Sequence, residues 1–139
     1  GNNFMIITIC GSATFAEEMG KAADVLRDKG LEVFTPDPLV TEEWYQENYT
    51  REKLLEMKPV WTKEHFARIK KSNAILILNH EKRGIQGYFG SNTLMELSVA
   101  FFLDKKIFLL NPITEDHPHF EEVIAMKITI LNGDLNNIE

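Results

Sequence analysis

The residue best placed for chemistry in this sequence is Glu96. It is the only charged residue between Arg83 and Asp104, and it follows a glycine and three short polar residues in the string GSNTLME. A carboxylate near the N-terminus of a helix tends to stay ionised, which suits a nucleophile better than a general acid. The pattern therefore predicts that Glu96 is a catalytic nucleophile. The candidate substrate-binding residues before it are Gly90, Ser91, Asn92 and Thr93.

The same segment has a second interpretation, which is a helix cap. Thr93 and Glu96 have the spacing of a capping box, in which the carboxylate bonds back to the backbone at the start of the helix. Against this stands the setting of Glu96, which follows a glycine-bearing loop on a helix too apolar for a solvated surface. The setting favours catalysis, with the cap as its alternative.

A second candidate binding turn follows the first apolar run, in the string CGSATF at residues 10–15. Backbone amides and the helix dipole at such a turn favour an anion, above all a phosphate. Gly11 and Ser12 are therefore candidate substrate-binding residues. The alternative is that Gly11 only makes a tight turn while Ser12 or Thr14 caps the helix. The glycine spacing matches neither a dinucleotide-binding fingerprint nor a P-loop.

These residues need a scaffold, and apolar runs alternate with helical periodicity along the chain. Strands are predicted at residues 4–10, 31–34, 74–78, 107–110 and 127–130. Helices are predicted at residues 14–29, 41–57, 62–71 and 93–103 and near Phe120. Pro59 is predicted to end the second of these helices before the third begins. Such alternation predicts a doubly wound α/β fold, a parallel sheet of about five strands covered on both faces. Ligands then bind beyond the carboxyl ends of the strands, where the loops after Cys10, Phe34, Leu78 and Leu110 lie.

Composition limits the class of protein. The 139 residues, 44% of them hydrophobic, suffice for one domain, which we assign to residues 1–139. A formal net charge of -6 disfavours binding to a nucleic acid polymer, and no apolar run reaches the about 20 residues of a membrane span. We therefore expect a cytoplasmic protein that acts on a small molecule. In a chain this short, a second subunit could complete the active site.

No metal ion and no other cofactor is expected from the sequence. His80, His117 and His119 do not have the spacing of metal ligands. Cys10 is the single cysteine, so it forms no internal disulfide, and its place at the end of an apolar strand predicts a small core residue.

Three strings of this sequence resemble the nucleoside 2-deoxyribosyltransferase family and its relatives, the deoxynucleoside 5'-monophosphate N-glycosidases. The strings are ICGSATF, HFARIKKSNAILIL and GYFGSNTLMELSVAFFLDKKIFLL, which lie between residues 9 and 110. The resemblance implies a flavodoxin-like, Rossmann-like fold with three αβα layers and a homodimer or larger homo-oligomer. It also implies that Glu96 attacks the anomeric carbon of a (deoxy)nucleoside or its 5'-monophosphate. The base then leaves, and a ribosyl-enzyme ester is resolved by another base or by water.

The resemblance assigns roles to further positions. Gly11 and Ser12 match positions that approach the sugar or its phosphate, and residues 91–93 lie where the glycosidases hold a 5'-phosphate. An acidic pair of the family is replaced here by His65 and Asn73. Because a histidine side chain can change its charge near neutrality, His65 is the second candidate catalytic residue, as a proton shuttle; its alternative is a surface or packing residue. Asn73 is a candidate substrate-binding residue.

Replacement of both acids also raises an alternative, a non-catalytic nucleotide-binding sensor or interaction protein that keeps the pocket. Separately, residues 90–96 are similar to the GxGTxxE motif of the phosphoribohydrolases that release cytokinin-type bases, with Asn92 in place of the second glycine. Those enzymes also cleave an N-glycosidic bond. Both resemblances therefore imply the same class of reaction.

Overall fold

A parallel β-sheet of five strands forms the centre of the protein in the computed structural model, which describes residues 5–138. The strands are β1 (Ile6–Cys10), β2 (Glu32–Phe34), β3 (Ala74–Ile77), β4 (Lys106–Leu109) and β5 (Thr129–Ile130). Their order across the sheet is β2-β1-β3-β4-β5, which is the flavodoxin-like order. The predicted doubly wound α/β fold is confirmed. Phe4, the predicted first residue of β1, lies outside the described residues, as do the chain ends at residues 1–3 and 139.

Helices connect the parallel strands, because parallel neighbours require a crossover. The α-helices of residues 5–138 are α1 (Ala16–Asp28), α2 (Glu42–Asn48), α3 (Arg51–Lys71), α4 (Ser91–Phe102) and α5 (Phe120–Ala125). Within the same residues, no helix combines the length and the apolar character needed to cross a membrane. Helix α1 packs on one face of the sheet, and α3, α4 and α5 pack on the other. The molecule therefore has three αβα layers.

Helix α3 differs from its prediction. The sequence predicts a break at Pro59, whereas α3 runs unbroken through it. The break lies earlier, where the side chain of Thr50 accepts a hydrogen bond from the N–H of Lys53 and caps α3. Pro59 removes only the hydrogen bond that an N–H at this position would donate to the carbonyl of Leu55. Both residues are exposed, so water can serve that carbonyl.

Alternation along the strands divides the core into two layers. Side chains of successive strand residues point to opposite faces of a sheet. Ile9 and Leu76 therefore pack with α1, while Ile75 and Ile77 pack with α3, α4 and α5. Cys10 belongs to the second layer. Its thiol consequently lies on the face of the sheet that α3 and α4 cover.

A reciprocal pair of asparagines ties together the carboxyl ends of β3 and β4. The side-chain amide of Asn79 donates to the carbonyls of Gly87 (3.1 Å) and Asn111 (2.9 Å), and its oxygen accepts from the N–H of Asn111 (2.9 Å). The side-chain amide of Asn111 donates in return to the Asn79 carbonyl (2.9 Å). Gly87 has a φ of 64°, and a Cβ there would lie 2.7 Å from the carbonyl oxygen of Pro112. Only glycine fits that position, and these contacts close this part of the sheet edge.

Candidate active site

A cavity of about 480 Å³ lies beyond the carboxyl ends of β1 and β2. Its walls come from Gly11, the loop at residues 36–40, α2, α3 and the first turns of α4. This is the edge of the sheet at which the sequence predicts ligand binding. The volume is within the usual range for a site that binds a small molecule.

Three side chains meet beside this cavity: Cys10 from β1, His65 from α3 and Glu96 from α4. Nε2 of His65 lies 3.0 Å from Oε2 of Glu96 and 3.6 Å from Sγ of Cys10. Cys10 and His65 are buried, the Glu96 side chain is 16% exposed, and His65 and Glu96 line the cavity. A carboxylate is thus joined to a proton carrier at a cavity wall, an arrangement suited to nucleophilic catalysis with proton transfer.

Cys10 is the buried member of this cluster. Burial raises the pKa of its thiol well above the ordinary value, and the negative charge of Glu96 raises it further. The thiol is therefore protonated at neutral pH and is a poor nucleophile. Sequence reasoning predicts a core residue here, but not its contact with His65, which is 55 residues away along the chain.

Glu96 belongs to the second turn of α4, whereas the sequence predicts the first. The helix begins at Ser91, two residues earlier than predicted, with Gly90 as its N-cap. The carboxylate contacts His65, so the alternative of a capping box with Thr93 is wrong. Because the helix dipole acts mainly within the first turn, the contact with His65 is the nearer polar influence on the carboxylate.

A polar bridge of Ser12, Glu42 and Lys82 crosses the edge of the cavity. Nζ of Lys82 donates to Oε1 of Glu42 (2.8 Å) and to Oγ of Ser12 (3.3 Å), and the Ser12 hydroxyl donates to the same carboxylate oxygen (3.2 Å). The hydrogen bond from Lys82 holds the pKa of Glu42 below its usual range. Ser12 also accepts a hydrogen bond from the N–H of Thr14 and so caps the single 3₁₀ turn Ala13–Phe15. The alternative of a side-chain cap on the helix itself is wrong, because α1 has Phe15 as its N-cap.

Sequence reasoning missed Glu42 and Lys82 as parts of the site. Glu42 lines the cavity, and the Lys82 side chain is only 14% exposed. The available signal is position, because both residues follow strands at the carboxyl edge of the sheet: Glu42 begins α2 after β2, and Lys82 lies in the loop after β3. Neither residue stands in a motif that would have distinguished it from other surface charges.

Aromatic side chains form one wall of the cavity. Tyr45 and Trp61 both line it, with ring centroids 5.3 Å apart. Tyr49 packs against Trp61 with centroids 5.5 Å apart, and Trp44 packs against Tyr45 at 5.7 Å. Burial raises the pKa of Tyr45, whose hydroxyl donates to the carbonyl of Pro38 (3.3 Å). Flat apolar faces backed by further rings suit a planar ligand.

The part of α3 that faces the cavity also carries positive charge. Arg51, Lys58 and Arg68 line the cavity. Arg68 is paired with Asp37 (3.6 Å), while Arg51 and Lys58 are exposed. Exposed cations at a cavity attract anionic ligands, so this wall favours a ligand with negative charge.

The structure brings four of the predicted site residues to the cavity: Gly11, His65, Asn92 and Glu96. Ser12 contacts Glu42 from outside the lining. Three others form the start of α4 and do not line the cavity: Gly90, Ser91 and Thr93. Of these, Thr93 is buried and Ser91 is exposed.

Asn73 lies at the opposite edge of the sheet. It comes immediately before β3 and is therefore at the amino end of that strand. Its side-chain oxygen accepts a hydrogen bond from the N–H of Ile6 (2.8 Å), at the amino end of β1. We therefore leave Asn73 out of the site proposed below.

No protein-family model and no curated protein matches this sequence. Two enzymes are among the solved structures whose fold this chain resembles. One is a 2-deoxyribosyltransferase from Bacillus psychrosaccharolyticus, with a TM-score of 0.55 and 23% identity, matched over 79% of this chain and 74% of its own. The other is a CMP N-glycosidase from Clostridium botulinum, with a TM-score of 0.52 and 14% identity, matched over 90% of this chain and 84% of its own. Both are enzymes of the kinds that the motifs resemble, and at these identities the likeness shows the fold.

Proposed function

We propose that this protein is an enzyme that breaks the N-glycosidic bond of a (deoxy)nucleoside or nucleoside 5'-monophosphate and passes the sugar to another base or to water. The observation that carries the proposal is the 3.0 Å contact between Nε2 of His65 and Oε2 of Glu96 on the wall of the cavity. Support also comes from the two enzymes with a similar fold, which are named for deoxyribosyl transfer and for N-glycoside cleavage.

In the first step, a carboxylate oxygen of Glu96 attacks the anomeric carbon of the sugar. The C–O bond of an ester forms while the C–N bond breaks, and the electron pair of that bond leaves with the base. His65 contacts Oε2, so we assign the attack to Oε1. Protonated His65 supplies the proton that the departing base takes up. The covalent intermediate is analogous to that of a retaining glycosidase.

In the second step, water or an incoming base attacks the same carbon from the side that the first base left. Neutral His65 accepts the proton that the attacking group loses. The ester C–O bond breaks, and its electron pair returns to Glu96 as a carboxylate. The enzyme is then in its starting state, because His65 has regained the proton that it gave in the first step.

Substrate recognition is divided among the walls of the cavity. We place the base against the rings of Tyr45 and Trp61, and the sugar near Gly11 and Asn92. At Gly11 a Cβ would lie 2.9 Å from the carbonyl oxygen of Leu78, so this position stays free of a side chain. A substrate can therefore approach the backbone there. A 5'-phosphate would be attracted to the exposed cations of α3.

The test is release of free base from a panel of nucleosides and 5'-monophosphates, in ribose and deoxyribose forms, followed by chromatography. Glu96→Gln keeps the size of the side chain but removes the nucleophile, so we expect no base release above background. Intact-protein mass spectrometry with the best substrate is expected to show the sugar attached to the native protein only. The matched control is Glu121→Gln, at an exposed position of α5, which is expected to react like the native protein.

A nucleotide-binding protein without activity is the alternative function. It is favoured by the same contact, because one oxygen of Glu96 is engaged by His65 rather than free in the cavity. The panel separates the two functions. If calorimetry shows that the native protein binds a nucleotide but chromatography shows no released base, the protein is a nucleotide-binding sensor and the proposed activity is wrong.

We also propose that the protein assembles with copies of itself through α4. Helix α4 exposes three large apolar side chains, Met95 (41%), Phe101 (50%) and Phe102 (82%). A group of exposed apolar side chains marks an interface more often than a free surface. Light scattering with size exclusion is expected to give a dimer or larger, and a monomer for Phe102→Glu. A monomeric native protein would contradict the assembly without affecting the proposed reaction.

A further inference from the structure

The cluster of Cys10, His65 and Glu96 has more donor chemistry than a carboxylate nucleophile requires. A sulfur, an imidazole nitrogen and a carboxylate oxygen lie within 4.8 Å of one another. They come from three separate elements of the fold, β1, α3 and α4. These are the three donor types with which proteins bind zinc. The sequence predicts no metal site, because none of these residues is close to another along the chain.

Two of the three separations between donor atoms, both measured from Nε2 of His65, can be compared with those around a tetrahedral ion. With zinc-ligand distances of about 2.3 Å to sulfur and about 2.0 Å to nitrogen, tetrahedral geometry separates the two donors by about 3.5 Å. Sγ of Cys10 and Nε2 of His65 are 3.6 Å apart. The corresponding nitrogen-to-oxygen separation is about 3.4 Å. Nε2 of His65 and Oε2 of Glu96 are 3.0 Å apart, so these two donors would need to separate by a few tenths of an ångström, and all three donors already lie within 4.8 Å of one another.

Charge also favours an ion at this position. A thiolate and a carboxylate carry two negative charges, which a divalent cation neutralises, so the loaded site is neutral in a region shielded from water. The thiol gives up its proton to solvent as the sulfur-metal bond forms. Cys10 has 0% exposure and the Glu96 side chain 16%. His65 and Glu96 line the cavity, which provides the path by which an ion can enter.

We propose that Sγ of Cys10, Nε2 of His65 and a carboxylate oxygen of Glu96 form a binding site for Zn²⁺, with the fourth position open to the cavity. Three protein ligands and one open position are the arrangement of accessible zinc sites, as opposed to the four protein ligands of structural sites. Water or a polar group of a small molecule fills the fourth position.

Zinc in this site competes with the proposed reaction. A metal on Nε2 of His65 blocks proton transfer, and a metal on one carboxylate oxygen of Glu96 withdraws electron density from the other oxygen, which attacks the sugar. This consequence rests on the proposed function, whereas zinc binding itself does not. We therefore expect that zinc inhibits base release and that a chelator restores it.

Binding is tested on the full chain after dialysis against a chelator. Titration with Zn²⁺ against a chromophoric zinc indicator is expected to give one tight equivalent per chain. Co²⁺, added in place of zinc, is expected to give the intense near-ultraviolet absorption of a thiolate-cobalt bond and the visible bands of a tetrahedral ion. A titration that shows no tight equivalent, or cobalt without the thiolate absorption, would overturn the proposal.

Variants identify the ligands. Cys10→Ser changes one atom and is expected to abolish the thiolate absorption and to weaken zinc binding at least about 100-fold, since even loss of an outer partner costs 10–100-fold. His65→Gln is the second variant, which keeps the test decisive if the first fails to fold. His119→Gln, which removes a histidine outside the cluster, is the control and is expected to bind zinc like the native protein. Equal affinity of Cys10→Ser and His119→Gln would contradict the site.

The two proposals fail separately. If the metal-free protein releases no base from any substrate but cobalt still shows the thiolate absorption, the proposed function is wrong and the zinc site stands. If base release is normal and the cobalt spectrum lacks the thiolate absorption, the zinc site is wrong and the proposed function stands.

Discussion

The carboxyl edge of the sheet has two contrasting halves. At β3 and β4, buried polar side chains are bonded to backbone. Asn79 bonds to Asn111 and Gly87, and the ring nitrogens of His117 lie 3.2 Å from the backbone nitrogen of Phe89 and 3.0 Å from that of His119, one of which donates to the single acceptor nitrogen of the neutral ring. At β1 and β2, polar side chains instead meet one another beside a cavity. Both halves contain a buried histidine, but only one of these histidines touches a carboxylate.

The comparison shows that burial of a polar residue does not by itself identify a functional site. Burial lowers the pKa of His117, and the neighbouring His119 lowers it further, so the ring is neutral and serves the backbone. Backbone hydrogen bonds fix a loop in place. A charged side chain that faces another side chain at a cavity wall stays available to a ligand. The β3–β4 half is thus predicted to govern stability, and the β1–β2 half activity.

The largest expected effect is on activity. His65→Gln keeps a hydrogen-bond donor beside Glu96 but removes the proton shuttle, so base release is expected to fall about 10²–10⁴-fold. His117→Gln, in the other half, is the matched change and is expected to leave the rate per folded molecule unchanged. The measurement is base release normalised to the folded fraction from circular dichroism. Equal losses in the two variants would remove the distinction between the halves.

The largest expected effect on stability comes from the asparagine pair. Asn79→Leu preserves volume but leaves the carbonyls of Gly87 and Asn111 and the N–H of Asn111 without their present partner. We expect a loss of about 3 kcal/mol in the free energy of unfolding, since each buried unsatisfied group costs about 1–3 kcal/mol. Urea unfolding measures it. Asn48→Ala, on the exposed surface of α2, is the control and is expected to cost much less.

Substitution of two glycines in the loop after β3 distinguishes the cost of a steric clash from the cost of backbone strain. Gly87 and Gly84 both have positive φ, 64° and 80°, but a Cβ at Gly84 has no neighbour within 4 Å. Gly84→Ala is therefore expected to cost about 1 kcal/mol, from backbone strain alone. Gly87→Ala is expected to cost about 1–3 kcal/mol more, because of its close contacts. If thermal unfolding gives the same loss for both, the loop is free to move away from Pro112.

The smallest expected effect is that of Lys82→Met. Because the pKa of Glu42 is lowered in the folded state, the Lys82–Glu42 pair stabilises the fold above the ordinary carboxyl range and loses this effect as pH falls through the lowered value. Glu42 is partly exposed, so we expect only about 0.2–1 kcal/mol at neutral pH. Unfolding of both proteins is measured from pH 7 to pH 3, with Lys63→Met as the control. A difference that persists unchanged at the lowest pH would contradict the ion pair.

Local pattern was enough to predict the scaffold. The strands follow from apolar runs of strand length, and the order of strands and helices fixes the parallel sheet. Glu96 is predictable as a candidate because it is the one charged residue of an apolar helix. This can be seen in the sequence without knowing which way the helix faces. Asn73 could also have been placed correctly, since a residue that precedes a parallel strand lies at its amino edge, away from ligands.

What the sequence could not predict was contact between distant residues. Whether His65 contacts Cys10 and Glu96 depends on the rotation of α3 about its axis. Because the sequence predicts a break at Pro59, it does not predict which face of α3 is turned toward the sheet. The start of α4 was misplaced by two residues, because Gly90 caps it without a side chain to signal the position. An error of two residues in the start of a helix changes which side chains are predicted to be in contact.

The length of α3 has a consequence for how this fold can vary. The helix has 21 residues and is about 31 Å long. One stripe of it faces the cavity throughout, at Arg51, Leu54, Leu55, Lys58, Trp61, Thr62, His65 and Arg68. Each residue of an α-helix is turned by about 100° from the one before. Deletion of a single residue between Trp61 and His65 would therefore turn the aromatic wall away from the histidine. The orientation of Trp61 relative to His65 is therefore set by the number of residues between them, and a single-residue insertion or deletion in that stretch alters substrate recognition and chemistry together.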